Sequence, residues 1–317
     1  MSKVKKLKIG IIGFGSIGQR HFNNLAQYKP EITVFSKHKD VLGQAVNNWG
    51  DFKKFGPFDA IFVTNETHKH VPTIFKCLEL KPRAIFVEKP ISHSLDGLAK
   101  VMEEAKKKKI SLWVGYNFQF YKPFLKIKEI LKSRAIGKIY YARVSAGQDL
   151  REWRKRDYRL NYGAKKFQGG GVMLDLVHEI NYAGWILGEK LIPKTALVSK
   201  VSNLEIDTED CAESIFSTKD GTVVSVHQDY LRIPGKRGLE LVGEKGTLAW
   251  DSQANQICVY GRKGVKRINI NQERNGMFKD ELEFFLNQLK KNKFFTNIEE
   301  AIRDVKNIVY LKKHAKK

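Results

Sequence analysis

Five short apolar runs punctuate the first third of the chain: residues 7–12, 32–35, 59–65, 84–87 and 111–117. Unbroken runs rich in β-branched and aromatic residues predict strands buried on both faces, the habit of parallel sheets. Between them the spacing turns helical: after Gly18 as far as Leu25, over 71–80, and over 94–109, where Leu95, Leu98, Val101, Met102 and Ala105 repeat at helical intervals. Strand and helix therefore alternate to about residue 117, which predicts a doubly wound α/β domain over 1–117.

The pattern then changes. Segments 140–146, 196–201, 212–217, 223–230 and 239–242 read as strands separated by turns such as Lys219-Asp220-Gly221 and Gly243-Glu244-Lys245-Gly246, without helices between most of them. That predicts a second, α+β domain over 118–317, built on an open and mostly antiparallel sheet. Helical periodicity returns over 172–187, with Gly188 as a stop, and over 280–291 and 298–314; the last helix is a candidate to pack back on the first domain.

Composition narrows the class. Cys77, Cys211 and Cys258 are far apart and in no CxxC or Cys/His arrangement, so neither a disulfide framework nor a metal site is expected. No apolar run approaches the ~18 residues of a membrane helix, and the lysine-rich start is followed by too short an apolar stretch for a signal peptide. A cytoplasmic protein that needs no membrane is the expectation. The net charge of +23 invites a nucleic-acid reading, but the lysines are spread over helix surfaces and the tail, as at 106–109 and 312–317. No nucleic-acid-binding motif accompanies them, so no nucleic-acid partner is expected.

The candidate chemistry starts at Gly13-Phe14-Gly15-Ser16-Ile17-Gly18, placed between a predicted strand and a predicted helix. Each glycine there serves a mechanical end. Gly13 permits the tight turn, Gly15 the close approach of a pyrophosphate and Gly18 the packing of the helix, which Ser16 and Ile17 open and whose dipole holds the phosphates. A nicotinamide dinucleotide is the expected cofactor. Where NAD-selective proteins place an acid for the ribose hydroxyl, this chain has Ser36, Lys37 and His38, with Asp40 a late carboxylate. That set favours NADP and leaves NAD open. Thr64 and Asn65 end the next strand on the same edge, while His68 and His70, near a helix start, read as capping or packing residues. Glu88-Lys89-Pro90 ends the fourth run, so Lys89 arrives at a strand's carboxyl end, where open α/β sheets bind ligands.

In the second domain Gly169-Gly170-Gly171 reads as a flexible approach to a helix on which Asp175 and His178, three apart, share a face, with Glu179 one position round. Residues 148–166 are basic and interleaved with aromatics. Tyr158, Arg159 and Tyr162 are the members that suit a clamp on a sugar and an anion, against the plain alternative of a surface loop.

In this order, strand-GxGxxG-helix, Glu-Lys-Pro, then Gly-Gly-Gly with Asp and His on the next helix, the chain resembles the glucose-fructose oxidoreductase and inositol dehydrogenase (Gfo/Idh/MocA) family. The likeness also takes in Gly115-Tyr116-Asn117 and Ile136-Gly137-Lys138-Ile139. It implies a Rossmann domain plus an open-sheet domain, a nicotinamide cofactor, and hydride transfer at a secondary hydroxyl or ketone of a sugar or cyclitol. Lys89, Asp175 and His178 take the catalytic roles; Glu88 and Lys89 border the cofactor and Asn117 the substrate. It further implies a homodimer or homotetramer formed through the second domain's sheet.

Two departures stand out. The family's histidine commonly follows its aspartate by four residues, whereas here it follows by three and Glu179 takes the usual slot, which leaves open a shared acid/base role for Glu179. This variation resembles a branch associated with bacterial surface-polysaccharide sugars. It points to a nucleotide or acidic sugar as substrate, with a neutral sugar or cyclitol as the alternative. Gln119 stands where an arginine often follows Gly-Tyr-Asn. The rival from another class is a non-catalytic NADP-binding sensor or regulator.

Overall fold

The protein is described from a computed structural model, which covers residues 6–37, 41, 43–153 and 157–315. His38 and Asp40 lie outside the described residues, as does the run Arg154-Lys155-Arg156. The chain divides into two compact units, 1–115 with 278–303 and 116–277 with 304–317.

The first unit holds a six-stranded parallel sheet of β1 (Lys8–Ile12), β2 (Glu31–Phe35), β3 (Gln44–Val46), β4 (Ala60–Val63), β5 (Ala84–Val87) and β6 (Ser111–Val114), in spatial order β3-β2-β1-β4-β5-β6. Every residue of β4, β5 and β6 is buried, as the unbroken apolar runs require. The helices are α1 (Ser16–Ala26), α2 (Trp49–Lys54), α3 (His70–Glu79) and α4 (Leu98–Lys107). The apolar pattern does not announce β3 or α2: they are three and six residues long, too short for a period to show. Helix α4 starts later than its spacing predicts, because Gly97 caps it in the left-handed region at φ 75° and the residues before it form turns.

In the second unit α5 (Lys122–Lys132) precedes β7 (Ile139–Gly147), and α6 (Val172–Asp175) and α7 (Val177–Leu187) follow. Then come β8 (Ile192–Ser199), β9 (Cys211–Ser217), β10 (Val223–Asp229), β11 (Lys236–Gly243), β12 (Gly246–Asp251), β13 (Gln256–Gly261) and β14 (Gly264–Asn269). They form one eight-stranded sheet, β14-β13-β12-β11-β7-β10-β9-β8, antiparallel except for the β7–β10 pair. Alternation along β9 and β11 sorts the two faces: Ala212, Phe216, Leu239 and Leu241 are buried, while Glu213 and Glu240 point the other way.

Helices α8 (Gly276–Lys290) and α9 (Ile298–Lys313) complete the chain. In the first unit Phe285 of α8 meets the rings of Phe62 and Phe86 edge-on, and Glu281 accepts a hydrogen bond from Trp113 at 3.1 Å. The carboxamide of Asn297 pairs with both backbone groups of Val114, extending the edge of β6.

Candidate active site

The glycine turn is built as its sequence requires. Gly13 sits at φ 96°, a conformation that side-chain-bearing residues rarely adopt, and a β-carbon there would come within 2.6 Å of the Asn65 backbone. At Gly18 a β-carbon would lie 2.3 Å from the Gly13 carbonyl oxygen, so only glycine lets α1 press against the turn. Gly15 is the opposite case: nothing lies within 4 Å of where its β-carbon would be. A close-packed turn with one open position, followed by a helix that no side chain caps, fits a dinucleotide pyrophosphate. Ser16 and Ile17 form the first turn of that helix.

The neighbouring residues take more specific places. The Thr64 hydroxyl donates to the carbonyls of Ile12 and Gly13 at 3.1 and 2.8 Å, fastening β4 to the turn. Asn65 follows β4 and donates through its carboxamide to Thr73 at 2.9 Å. Ser36 donates its backbone N–H to Val46, and Lys37 beside it is exposed. Glu88 is buried against His21 of α1, with the ring Nε2 2.7 Å from its Oε1. Lys89 is half-buried, and its own N–H donates to Glu88 Oε2 at 3.3 Å. His70 is buried between two carbonyls, 2.9 Å from Pro90 and 3.0 Å from Asn65, and so spans the residues that follow β4 and β5.

The second unit supplies the acid/base candidates, with a correction. The run 172–187 is not one helix: it breaks at Leu176, whose φ and ψ of −98° and 33° leave the helical region. The break has a partner, since the buried Gln228 of β10 donates through Nε2 to the Leu176 carbonyl at 2.6 Å. Asp175 therefore closes α6, and His178 stands in the first turn of α7, on two segments rather than on one helix face. The glycine triplet is also tightly packed rather than flexible. Gly171, at φ 109°, lies against the Glu209 carboxylate, which Lys312 of α9 holds at 2.9 Å through both oxygens.

Asp175 is buried and accepts hydrogen bonds from two tyrosines, Tyr162 at Oδ1 and Tyr230 at Oδ2, the latter at 3.1 Å. Burial, and then the Asp175 charge, hold the Tyr230 phenol well above its ordinary pKa, so it stays a donor. His178, also buried, is flanked edge-on by the rings of Phe118 and Tyr116 at 5.0 and 6.1 Å. Glu179 is fully buried and paired with Arg237 at 2.8 Å, and the guanidinium carbon lies 5.0 Å from the centre of the Phe118 ring. Burial opposes the Arg237 charge, but Glu179, Tyr182 and Asp175 together outweigh it and raise the pKa. Glu179 thus balances a cation.

Of the predicted substrate residues, Tyr162 is brought to Asp175. Asn117, buried in a short 3₁₀ turn at 117–120, lies just before the Phe118 that packs on His178. Tyr158 and Arg159 go elsewhere: the Tyr158 hydroxyl accepts the Glu205 N–H at 3.1 Å, and Arg159 pairs with Asp157 and Glu205 at 2.7 and 2.6 Å. Arg151 is likewise held by Asp149. Tyr230, Gln228, Arg237 and His21 also belong to these clusters, and nothing in the local sequence singles out Tyr230, Gln228 or His21. A signal existed for Arg237 alone, which has the strand parity of the buried Leu239 and Leu241.

Removing the Tyr162 hydroxyl leaves Asp175 with Tyr230 as its remaining tyrosine donor. Tyr162→Phe is expected to lower kcat about tenfold, the value of one hydrogen bond to a charged group, with little change in cofactor affinity. Steady-state kinetics beside cofactor titration checks this; an unchanged kcat would show that Tyr162 does not support Asp175.

Sequence profiles match both parts of the chain: residues 7–116 match the oxidoreductase family with NAD-binding Rossmann fold, and residues 124–249 match the GFO/IDH/MocA C-terminal domain. The chain belongs to the GFO/IDH/MocA oxidoreductase family, and is an enzyme of that class. Among relatives, myo-inositol 2-dehydrogenase of Thermotoga maritima is 26% identical over 306 residues, 90% of this chain and 88% of that protein. Two solved structures share the fold. Myo-inositol 2-dehydrogenase of Lactobacillus plantarum has a TM-score of 0.82 at 18% identity, covering 98% of this chain and 97% of the other. Levoglucosan dehydrogenase, in complex with NADH and levoglucosan, has a TM-score of 0.85 at 16% identity and the same coverage.

Proposed function

We propose that the enzyme transfers hydride between a nicotinamide cofactor, NADP by preference, and a secondary hydroxyl of a neutral cyclic polyol, a sugar or cyclitol. The observation that carries this reading is Asp175, buried and oriented by two tyrosine hydroxyls, three residues before a buried His178. When bound, the cofactor supplies the hydride donor or acceptor. His178 takes the proton of the substrate hydroxyl in oxidation and returns it in reduction, work for which an imidazole is suited near neutral pH. Lys89 donates to the same oxygen and stabilises its developing negative charge. Asp175 orients the substrate hydroxyls or the imidazole. Gly13, Gly15, Ser16, Ile17 and Gly18 hold the pyrophosphate, and Ser36 and Lys37 favour a 2′-phosphate.

A clamp on a nucleotide or acidic sugar in the loop at 148–166 would draw on the loop's arginines. Its described arginines, Arg151 and Arg159, are already paired with Asp149, Asp157 and Glu205, which favours a neutral substrate over one from surface-polysaccharide synthesis. The names of relatives that act on inositol support the same choice. A screen of cyclitols, neutral sugars, sugar acids and nucleotide sugars with NAD and NADP tests it, reading reduced-nicotinamide absorbance with Lys89→Met as control. Turnover confined to acidic or nucleotide sugars would overturn the neutral-polyol reading, and cofactor binding without any turnover would favour a sensor.

Self-association through the sheet is part of the same reading. On the face opposite Gln228, one cross-strand row runs Val265, Tyr260, Thr247, Val242, Tyr141, Val223, Ser217, Ile192. Tyr260, Val223 and Ile192 in this row are exposed, the kind of apolar surface that a second copy covers. Sedimentation should give a dimer or tetramer that Val223→Glu weakens; a monomeric parent would remove this part of the proposal.

On that face His227 bridges Asp229 at 2.9 Å and Glu213 at 3.4 Å, and these two carboxylates raise its pKa to about 9. A cation whose pKa is raised by folding contributes stability that is complete below its unfolded value, near 6.5, and is lost as pH rises through about 9. The Tm difference between the parent and His227→Gln should therefore shrink between about pH 7 and about pH 10. A constant difference would show that the pair contributes nothing through charge.

A further inference from the structure

We propose that the edge of the parallel sheet opposite the dinucleotide turn docks on an anionic lipid bilayer: lysines of the helix-to-strand connections meet the headgroups, and the rings of Tyr28, Phe55 and Phe294 seat at the acyl boundary. The association is peripheral, since no helix among the described residues is long and apolar enough to cross a membrane. It is independent of the redox reading above.

Spread along the sequence, the lysines of the first unit are gathered by its fold. In a parallel sheet each crossover helix ends on the side where the next strand begins, so connections far apart in the chain share one edge. They are 27–30 between α1 and β2, 55–59 between α2 and β4, 80–83 between α3 and β5, and 108–110 between α4 and β6. The end of α8 joins them: Arg83 donates to the Asn292 carboxamide oxygen at 3.3 Å, and the Phe295 N–H donates to Ser111, the first residue of β6, at 3.1 Å.

The edge is strongly basic. Lys29, Lys81, Lys109, Lys290, Lys291 and Lys293 are exposed there and make no ion pair among the described residues. A cation past a helix end is ordinary, because it complements the helix dipole. Lys29, Lys81 and Lys109 go further, holding φ of 51°, 50° and 55°, where glycine or asparagine is the usual choice. The acids of the edge are largely neutralised on it: Glu31 lies 4.0 Å from Lys8, Asp59 3.1 Å from Arg83 and Glu104 3.5 Å from Lys108. Glu79 adds one exposed carboxylate.

Aromatic rings stand among these cations. Tyr28, Phe55 and Phe294 are 44%, 36% and 52% exposed, and each is next in sequence to a lysine, Lys29, Lys54 and Lys293. Lysine beside an exposed ring is the composition of an interfacial membrane contact. Single strands of nucleic acid use the same pair, but with a groove that tracks their backbone. Here no helix-to-strand connection exceeds five residues, so none rises to wall a groove, and a planar partner fits better. The dinucleotide turn and Lys89 lie at the other ends of β1 and β5, so a docked enzyme keeps its cofactor edge in solution.

Co-sedimentation of the full chain with vesicles of phosphatidylcholine alone, and of phosphatidylcholine with phosphatidylglycerol, tests this. The parent should bind the anionic vesicles at least about tenfold more tightly, and less so as salt is added. Lys290→Ser with Lys291→Ser and Lys293→Ser should weaken that binding about 10²-fold, the combined worth of three lysines at such a surface. The same change at Lys219, Lys245 and Lys263, exposed in turns of the second unit, removes as much charge and should weaken it less than about threefold. Phe294→Ser should weaken binding about fivefold and leave its salt dependence unchanged, whereas loss of the lysines flattens it. Melting temperatures should stay within about 2 °C of the parent, as for other surface replacements. Equal binding of neutral and anionic vesicles, binding to neither, or equal weakening by the two triple variants overturns the proposal. So does a single-stranded oligonucleotide held more tightly than the vesicles through the same three lysines, which would give the edge to nucleic acid.

Discussion

Lys89→Met and His178→Ala are each expected to lower turnover by roughly 10²- to 10⁴-fold, the usual worth of a positioned proton-transfer or charge-stabilising group. Cofactor affinity should be nearly unchanged, because the elements of the dinucleotide turn, Gly13, Gly18 and Thr64, are held by their own contacts. The two losses also differ in kind. In the proposed mechanism Lys89 stabilises charge on the substrate oxygen, so its removal should lower kcat and kcat/KM together. In the proposed mechanism His178 carries the proton, so His178→Ala should flatten the limb of the pH–rate profile that the general base sets. Rapid-mixing measurement of hydride transfer, with the polyol identified by the substrate screen, gives both numbers. Rates within about twofold of the parent in both variants would remove these residues from the mechanism.

Arg237→Leu is expected to cost about 3–5 kcal/mol of stability, since it leaves the Glu179 carboxylate wholly buried without its cation. At roughly 2–4 °C per kcal/mol for a unit of this size, the melting temperature should fall by about 10 °C. The double replacement Arg237→Leu with Glu179→Leu should recover much of the loss, because replacing both partners by apolar groups removes the stranded charge. Activity should follow stability only in part: Arg237 also lies over Phe118, which packs on His178, so kcat should remain low in the double variant even as Tm returns. Full kcat in the single variant would show that the pair is not connected to His178. A single variant as stable as the parent would show that Glu179 does not depend on its cation, and would restore it as an acid/base candidate.

The first unit was legible because its information is local. Buried parallel strands announce themselves as unbroken apolar runs, and Gly13-Phe14-Gly15-Ser16-Ile17-Gly18 carries its geometry in the absence of β-carbons, so neighbours in sequence are the neighbours that matter. Lys89 could be placed at a strand end from the Pro90 that follows it. The short β3 and α2 escaped, since three and six residues are less than a recognisable period.

In the second unit the decisive contacts join residues far apart in the chain. Helical spacing over 172–187 is real, yet Gln228, 52 positions beyond Leu176, accompanies the break between Asp175 and His178 by binding its carbonyl. The donors on Asp175 come from positions 162 and 230, and Tyr230 follows a strand with nothing in its neighbourhood to mark it. A basic run predicted an anion clamp, but a charge in sequence shows only that a partner is needed. Among the described residues Asp149 and Asp157 stand two positions before the arginines they hold, while Glu205, 46 positions beyond Arg159, is a partner that only folding supplies. By itself the sequence determined the two kinds of sheet, the dinucleotide turn and the identity of Lys89, Asp175 and His178 as the reactive candidates, because periodicity and side-chain chemistry are properties of short segments. Which tyrosines hold Asp175, that Arg237 balances Glu179, and where the helix between Asp175 and His178 breaks were decided only by the tertiary structure, because a buried polar group is defined by the distant residue that satisfies it.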